Sequence, residues 1–161
     1  MAMDMFFKLD DIKGESGDND FKGQIDVLSW SWGATQSGSS HVGGGSGSGK
    51  VAVNDLTFTK YVDRASPVLL GMCCAGTYIK NGVLTIRKAG GKDKVKYVVV
   101  TLTNSIVSSV SHGGDGGGDR LTETVTLNFG QVKYEYTPQK TDGTADAVVT
   151  TGWNIVGNVA L

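Results

Sequence analysis

Two glycine-rich stretches hold the residues of this 161-residue chain that could do chemistry. In "HVGGGSGSGKV" (41–51), Gly44, Gly49 and Lys50 approach the nucleotide cradle G-x-x-x-x-G-K-[ST]. The hydroxyl that would hold Mg²⁺ is missing, because Val51 follows the lysine. The context fails as well. Polar "TQSGSSH" precedes the stretch, and afterwards Leu56 and Phe58 alternate with Thr57 and Thr59, a strand period with no helix N-terminus to face a phosphate. Reading Gly47, Gly49 and Ala52 as G-x-G-x-x-A fails for the same reason. In "HGGDGGGDR" (112–120), Asp115 and Asp119 suggest calcium, but a β-roll repeat needs Asp where Gly118 stands, and needs tandem copies. EF-hand spacing is absent too. His41 and His112 could serve as bases for Cys73 or Cys74. The histidines sit in glycine-rich loops, however, and the cysteines in an apolar segment where a thiol stays protonated. No catalytic constellation emerges. One alternative function stays open, a small metal-dependent hydrolase using the Asp115/Asp119 loop.

The elements that would carry these residues are mostly strands. "MDMFFKL", "QIDVLSWSW", "KVAVNDLTFTKY", "GVLTIRKA", "KVKYVVVTLT", "SIVSSVS", "RLTETVTLNF", "QVKYEY" and "GWNIV" are rich in β-branched and aromatic residues, with turn residues between them. Leu121, Val125, Leu127 and Phe129 share one face with an anomalous Glu123, opposite Thr122, Thr124, Thr126 and Asn128. In "SWSWG", Trp30 and Trp32 take the core side and Ser29 and Ser31 the other. One helix is predicted, "SPVLLGMCCAG", with Ser66 as cap, Pro67 at the first helical position and Gly76 at the stop. It is apolar nearly all round and should be packed against a sheet end. The fold class is therefore mainly β: a two-sheet antiparallel β-barrel or sandwich with one short flanking α-helix, in a single domain (1–161) with a long loop at about 36–50.

Fifteen basic and sixteen acidic residues leave no general pull on nucleic acid or anionic membrane. The charge is uneven along the chain. Residues 1–30 hold seven acids against three lysines, and residues 80–96 hold six basic residues against Asp93 alone. The N-terminus lacks the pattern of a secretory signal, no apolar run is long enough for membrane insertion, and the adjacent cysteines suit a reducing cytoplasm.

Taken in order, "DMFFKLDDIKGES", "IDVLSWSWG", "GKVAVNDLTFTKYVDRASPVLL", "LTIRKAGG", "SSVSHGGDGGGDRLTETVTLNFGQVKYEYTPQ" and "GWNI" strongly resemble the haemolysin-coregulated protein (Hcp) family. Members of that family form the inner tube of the bacterial type VI secretion system. The resemblance implies a homohexameric ring that stacks into a tube inside a contractile sheath, with a spike protein at its tip. Small effector proteins ride in the lumen. It implies no enzyme activity and no cofactor. The route is from the bacterial cytoplasm outward through the apparatus, without a cleaved signal peptide. On that frame Ser29 and Ser31 are expected to face the lumen. Gln36, Ser40, His41, Val42, Gly44 and Lys50 belong to an arm lying on a neighbouring subunit. Asp10, Asp11, Lys88 and Lys92 are stacking candidates, because rings meeting head to tail need complementary faces.

Overall fold

The computed structural model describes residues 3–38, 49–88 and 94–161. Its strands are β1 (Met3–Leu9), β2 (Ile25–Ser31), β3 (Ala34–Thr35), β4 (Ala52–Val53), β5 (Leu56–Tyr61), β6 (Tyr78–Lys88), β7 (Lys96–Gly113), β8 (Thr122–Tyr136), β9 (Val149–Asn154) and β10 (Val159–Ala160). The single helix described, α1 (Ala65–Ala75), lies between β5 and β6. The main sheet runs β10-β9-β8-β5-β2-β1-β6-β7, and β7 also pairs with β8. That last pairing closes the strands from β8 to β7 into a six-stranded antiparallel barrel, from which β9 and β10 project as a wing. β3 and β4 form a separate hairpin. The barrel is filled by Phe7, Ile25, Leu56, Phe58, Leu84, Val100, Leu102 and Leu127, all fully or almost fully buried. The fold class is as expected.

Several elements differ in detail. "KVKYVVVTLT" and "SIVSSVS" are one strand, as are "RLTETVTLNF" and "QVKYEY", and β7 and β8 pair along almost their whole length. The residues read as breaks are Asn104 and Gly130, and they reverse the facing of the strands without ending them. In β7 the buried positions are Val98, Val100 and Leu102 before Asn104, then Ser105 and Val107 after it. In β8 they are Val125, Leu127 and Phe129, then Val132. Asn104 makes the switch with φ of 54°, which asparagine tolerates far better than a β-branched residue. Asn104→Val should therefore cost about 1–2 kcal/mol in urea unfolding, while Asn104→Gly should be close to neutral.

The helix begins one residue before the predicted Ser66 cap. Asp63 Oδ1 accepts the Ala65 N–H at 2.9 Å, and Ser66 instead turns its hydroxyl into the barrel. Gly76 ends the helix as predicted, at φ 65°. α1 packs against the sheet at β7, but by one face only, which corrects the expectation that it does not lie on the surface. Ala65, Ser66 and Leu69 are buried, whereas Val68 and Leu70 are 43% and 44% exposed. Leu121 also departs from its predicted buried face, at 52% exposed, because it lies before the start of β8.

Candidate functional site

β2 starts with Ile25 and Val27 facing inward. A bulge between Val27 and Ser29, opposite Lys60 and Thr59, then inserts one extra residue and exchanges the two faces. Beyond it Trp30 and Trp32 pack half-buried against the core, and Ser29 and Ser31 are exposed. The register across the neighbouring strands extends this pair of serines into two rows. Ser31 faces Thr57, Thr57 faces Thr126, and Thr126 faces Ser109. One step along the strands, Ser29 faces Thr59, Thr59 faces Thr124, and Thr124 faces Ser111. The result is a hydroxyl surface four strands wide, about 14 Å across at the usual strand spacing. Thr57 Oγ1 and Thr126 Oγ1 are 3.1 Å apart at its centre. The alternating threonines of "LTFTKY" and "TETVTLN" carried the signal for this surface. Their alignment with the serines of β2 and β7 depends on two bulges, at Leu28 and Ser108.

Charge is kept off this face. Lys60 and Glu123, opposite each other in register, point into the barrel, where both side chains are fully buried. Lys60 Nζ lies 2.5 Å from Glu123 Oε1, 2.8 Å from Asp63 Oδ1 and 3.1 Å from Ser66 Oγ. Ser66 also donates to Glu123 Oε1. This explains the anomalous Glu123. Asp55, at one end of the face, accepts from Ser108 Oγ and Asn128 Nδ2, each at 2.9 Å. At the other end the Arg120 guanidinium lies over the Tyr61 ring at 3.9 Å. His112 Nδ1 approaches Glu123 Oε2 at 3.0 Å.

Both margins of the four-stranded face are open among the described residues. β1 pairs with β2 only at Ile25 and Asp26, leaving Ser29–Ser31 without a strand on that side. β6 leaves β7 after Ile106, so residues 107–113 likewise pair only with β8.

The other expected site residues are scattered. Gln36 lines a mostly apolar groove of about 240 Å³ between the β3–β4 hairpin and the wing, together with Trp32, Val53, Tyr134 and Trp153. Lys50 is exposed beside it. Ser40, His41, Val42, Gly44 and Lys92 lie outside the described residues. Lys88 faces Met3 at one end of the β1–β6 pair, and Asp10 and Asp11 follow Leu9 at the other. The opposite charges thus stand about 20 Å apart along the strands. Lys88 Nζ lies over Tyr97 at 4.7 Å, and Asp10 accepts from Asn81 Nδ2 at 3.1 Å. Asp115 Oδ1 accepts the Gly117 N–H at 2.9 Å, closing its own turn. Among the described residues no three His, Cys, Asp or Glu side chains gather into a metal-holding group.

Part of the charge asymmetry is cancelled within the chain. Arg87, 2% exposed, grips Asp18 with two hydrogen bonds at 2.6 and 3.2 Å and reaches Asp4 at 3.0 Å and Asp20 at 3.3 Å. Its hydrogen bonds hold the Asp18 carboxyl below the ordinary carboxylate value, helped by the Asp20 N–H. A carboxyl lowered in the folded state contributes stability above its unfolded pKa and loses it as pH falls through the folded one. Asp26 acts in the opposite sense: burial raises it, so its penalty at neutral pH is relieved by acid. The Asp18 contribution should therefore start to fall at about pH 4, where the unfolded carboxyl takes up its proton, and shrink progressively below it. Asp18→Asn should flatten the acid limb of a stability profile taken by urea unfolding between about pH 3 and 6.

Residues 6–136 match the family model described as "Type VI secretion system effector, Hcp". The chain is 57% identical over 160 residues to protein hcp1 of Pseudomonas aeruginosa, covering 99% of both chains. Hcp1 from Salmonella typhimurium superposes with a TM-score of 0.83 at 39% identity, over 100% of both chains. A structure described as a type six secretion system protein superposes at 0.94 with 33% identity, over 99% of this chain and 100% of that one.

Proposed function

This chain belongs to the Hcp family of type VI secretion proteins, and from that premise we propose that it is the subunit of a hexameric ring that stacks into the secretion tube and carries small effectors in its lumen. The observation that carries this reading is the uncharged hydroxyl face bounded by two open strand edges. An unpaired edge is a template for another strand. When β7 of one copy lies along β2 of the next, the sheet continues across the contact and the hydroxyl rows continue with it. A heterologous contact of this kind closes into a ring when its rotation allows. The hydroxyl face then lines the channel, with Ser29 and Ser31 on it, while α1 and the apolar core lie outward. The segment from Gln36 to Lys50 is the arm laid on a neighbouring subunit. The spike and sheath are the partners of the finished tube, and the route is from the cytoplasm through the apparatus.

Sedimentation and electron microscopy of the purified protein test this directly. A ring of six copies has a mass of about 100 kDa, six times the 16.9 kDa chain; a monomer at all working concentrations would refute it. Stacking is assigned to the Asp10/Asp11 and Lys88/Lys92 ends. Exposed pairs of this kind contribute about 0.2–1 kcal/mol each and are screened by salt. Raising ionic strength should shorten tubes in light scattering while rings persist. Tube length unchanged by salt would remove the charged ends from stacking.

A further inference from the structure

We infer that the channel face recognises cargo through neutral hydrogen-bonding groups, namely the carboxamides, hydroxyls and exposed main chain of a folded protein, with Thr57 and Thr126 at the centre of the contact. The inference rests on the lumen reading above and adds the chemical class of what is held.

Each hydroxyl offers one donor and two acceptor positions. The Thr57–Thr126 contact uses only one donor between the two residues, so both keep capacity for a ligand. Charge near the rows is confined to their two ends, Asp55 at one and Arg120 over Tyr61 at the other. Lys60 and Glu123 neutralise each other inside the barrel, and both Asp55 oxygens are taken. A charged cargo group placed at the centre of the rows, on Thr57 and Thr126, would lose hydration and gain no adjacent counter-charge. A neutral group exchanges water for protein hydrogen bonds at little cost, and each such bond is weak. Many weak, charge-independent contacts suit a carrier that must hold different proteins and release them. They also predict retention that is insensitive to salt, opposite to the stacking contacts.

The test uses assembled rings of the full chain and three labelled peptides of equal length: an uncharged Ser/Gln-rich peptide, polyglutamate and polylysine. Fluorescence anisotropy should show the uncharged peptide binding best, with an affinity that does not change between low and high salt. Thr57→Val/Thr126→Val keeps the side-chain shape and removes both hydroxyls. It should weaken that binding about tenfold with ring mass unchanged. Preference for either charged peptide, no binding by any of them, or unaltered binding to the double variant overturns the inference. A separate measurement isolates the lumen reading. In a Cys73→Ser/Cys74→Ser background, Thr59→Cys should react with a maleimide as fast in the ring as in the dissociated subunit. Protection confined to the ring means the face is sealed between copies, and both readings fall together. Free labelling together with a charged preference removes only the assignment of cargo class.

Discussion

Glu123→Ala should destabilise the subunit by about 3–5 kcal/mol, the cost of removing one partner from a buried ion pair. Lys60 is fully buried, and its ammonium sits 2.5 Å from the Glu123 carboxylate. Deleting the carboxylate leaves Lys60 with Asp63, which lies at the barrel mouth, and with a serine hydroxyl that has lost its own acceptor. The opposite outcome is expected when both charges go. Lys60→Met with Glu123→Leu, made together with Asp63→Asn so that no carboxylate is left without its cation, replaces the pair by apolar groups of similar size, and such exchanges are often neutral or stabilising. A double-mutant cycle by urea unfolding measures the coupling. If Glu123→Ala costs less than about 1 kcal/mol, the pair is not dry and the barrel interior is hydrated there.

Arg87→Ala should cost about 3 kcal/mol, the low end of the range for breaking a buried pair, because its aspartates remain partly in water. The guanidinium satisfies three carboxylates at once and lies 5.3 Å from the centroids of both Phe6 and Phe21, whose rings stack at 4.4 Å. It therefore fastens the segment holding Asp18 and Asp20 to β1 and β6. Arg87→Lys should recover less than half of the loss. A single ammonium cannot form the two parallel bonds to Asp18 or spread over aromatic rings. Equal stability of the lysine variant and wild type would reduce Arg87 to a point charge.

Of the two ion clusters only the Lys60/Glu123 pair was partly legible in the sequence; the Arg87 cluster joins residues far apart in the chain. Glu123 stood out on the apolar side of its strand, and Lys60 occupied the inward period of Leu56 and Phe58. What pairwise reading of strands lacks is the register that sets one opposite the other. The hydroxyl rows show the same limit. Ser29 and Ser31 and the alternating threonines were visible singly, but two bulges decide which residues share a row. Asn104 and Gly130 fall between runs that read in the sequence as separate strands. In an isolated sequence a glycine or asparagine between apolar runs signals a turn. Here continuous pairing with the opposite strand keeps the chain extended through both. The wing was the least legible part. β9 is largely exposed along its first half, so it has no buried face to read.

The strands that change facing at Asn104 and Gly130 also determine how a load crosses the subunit. β7 is 18 residues long and β8 is 15, contour lengths of about 60 and 50 Å at the usual rise per residue. They run from the face that carries the hydroxyls to the wing on the far side. A thrust along them is met by the whole ladder of hydrogen bonds in shear, many bonds sharing it at once. A turn at either residue would have divided the subunit into two plates joined by a hinge, and the same thrust would have opened their bonds one by one. The two strands act as a pair of continuous beams, and the subunit has no hinge along their paired length.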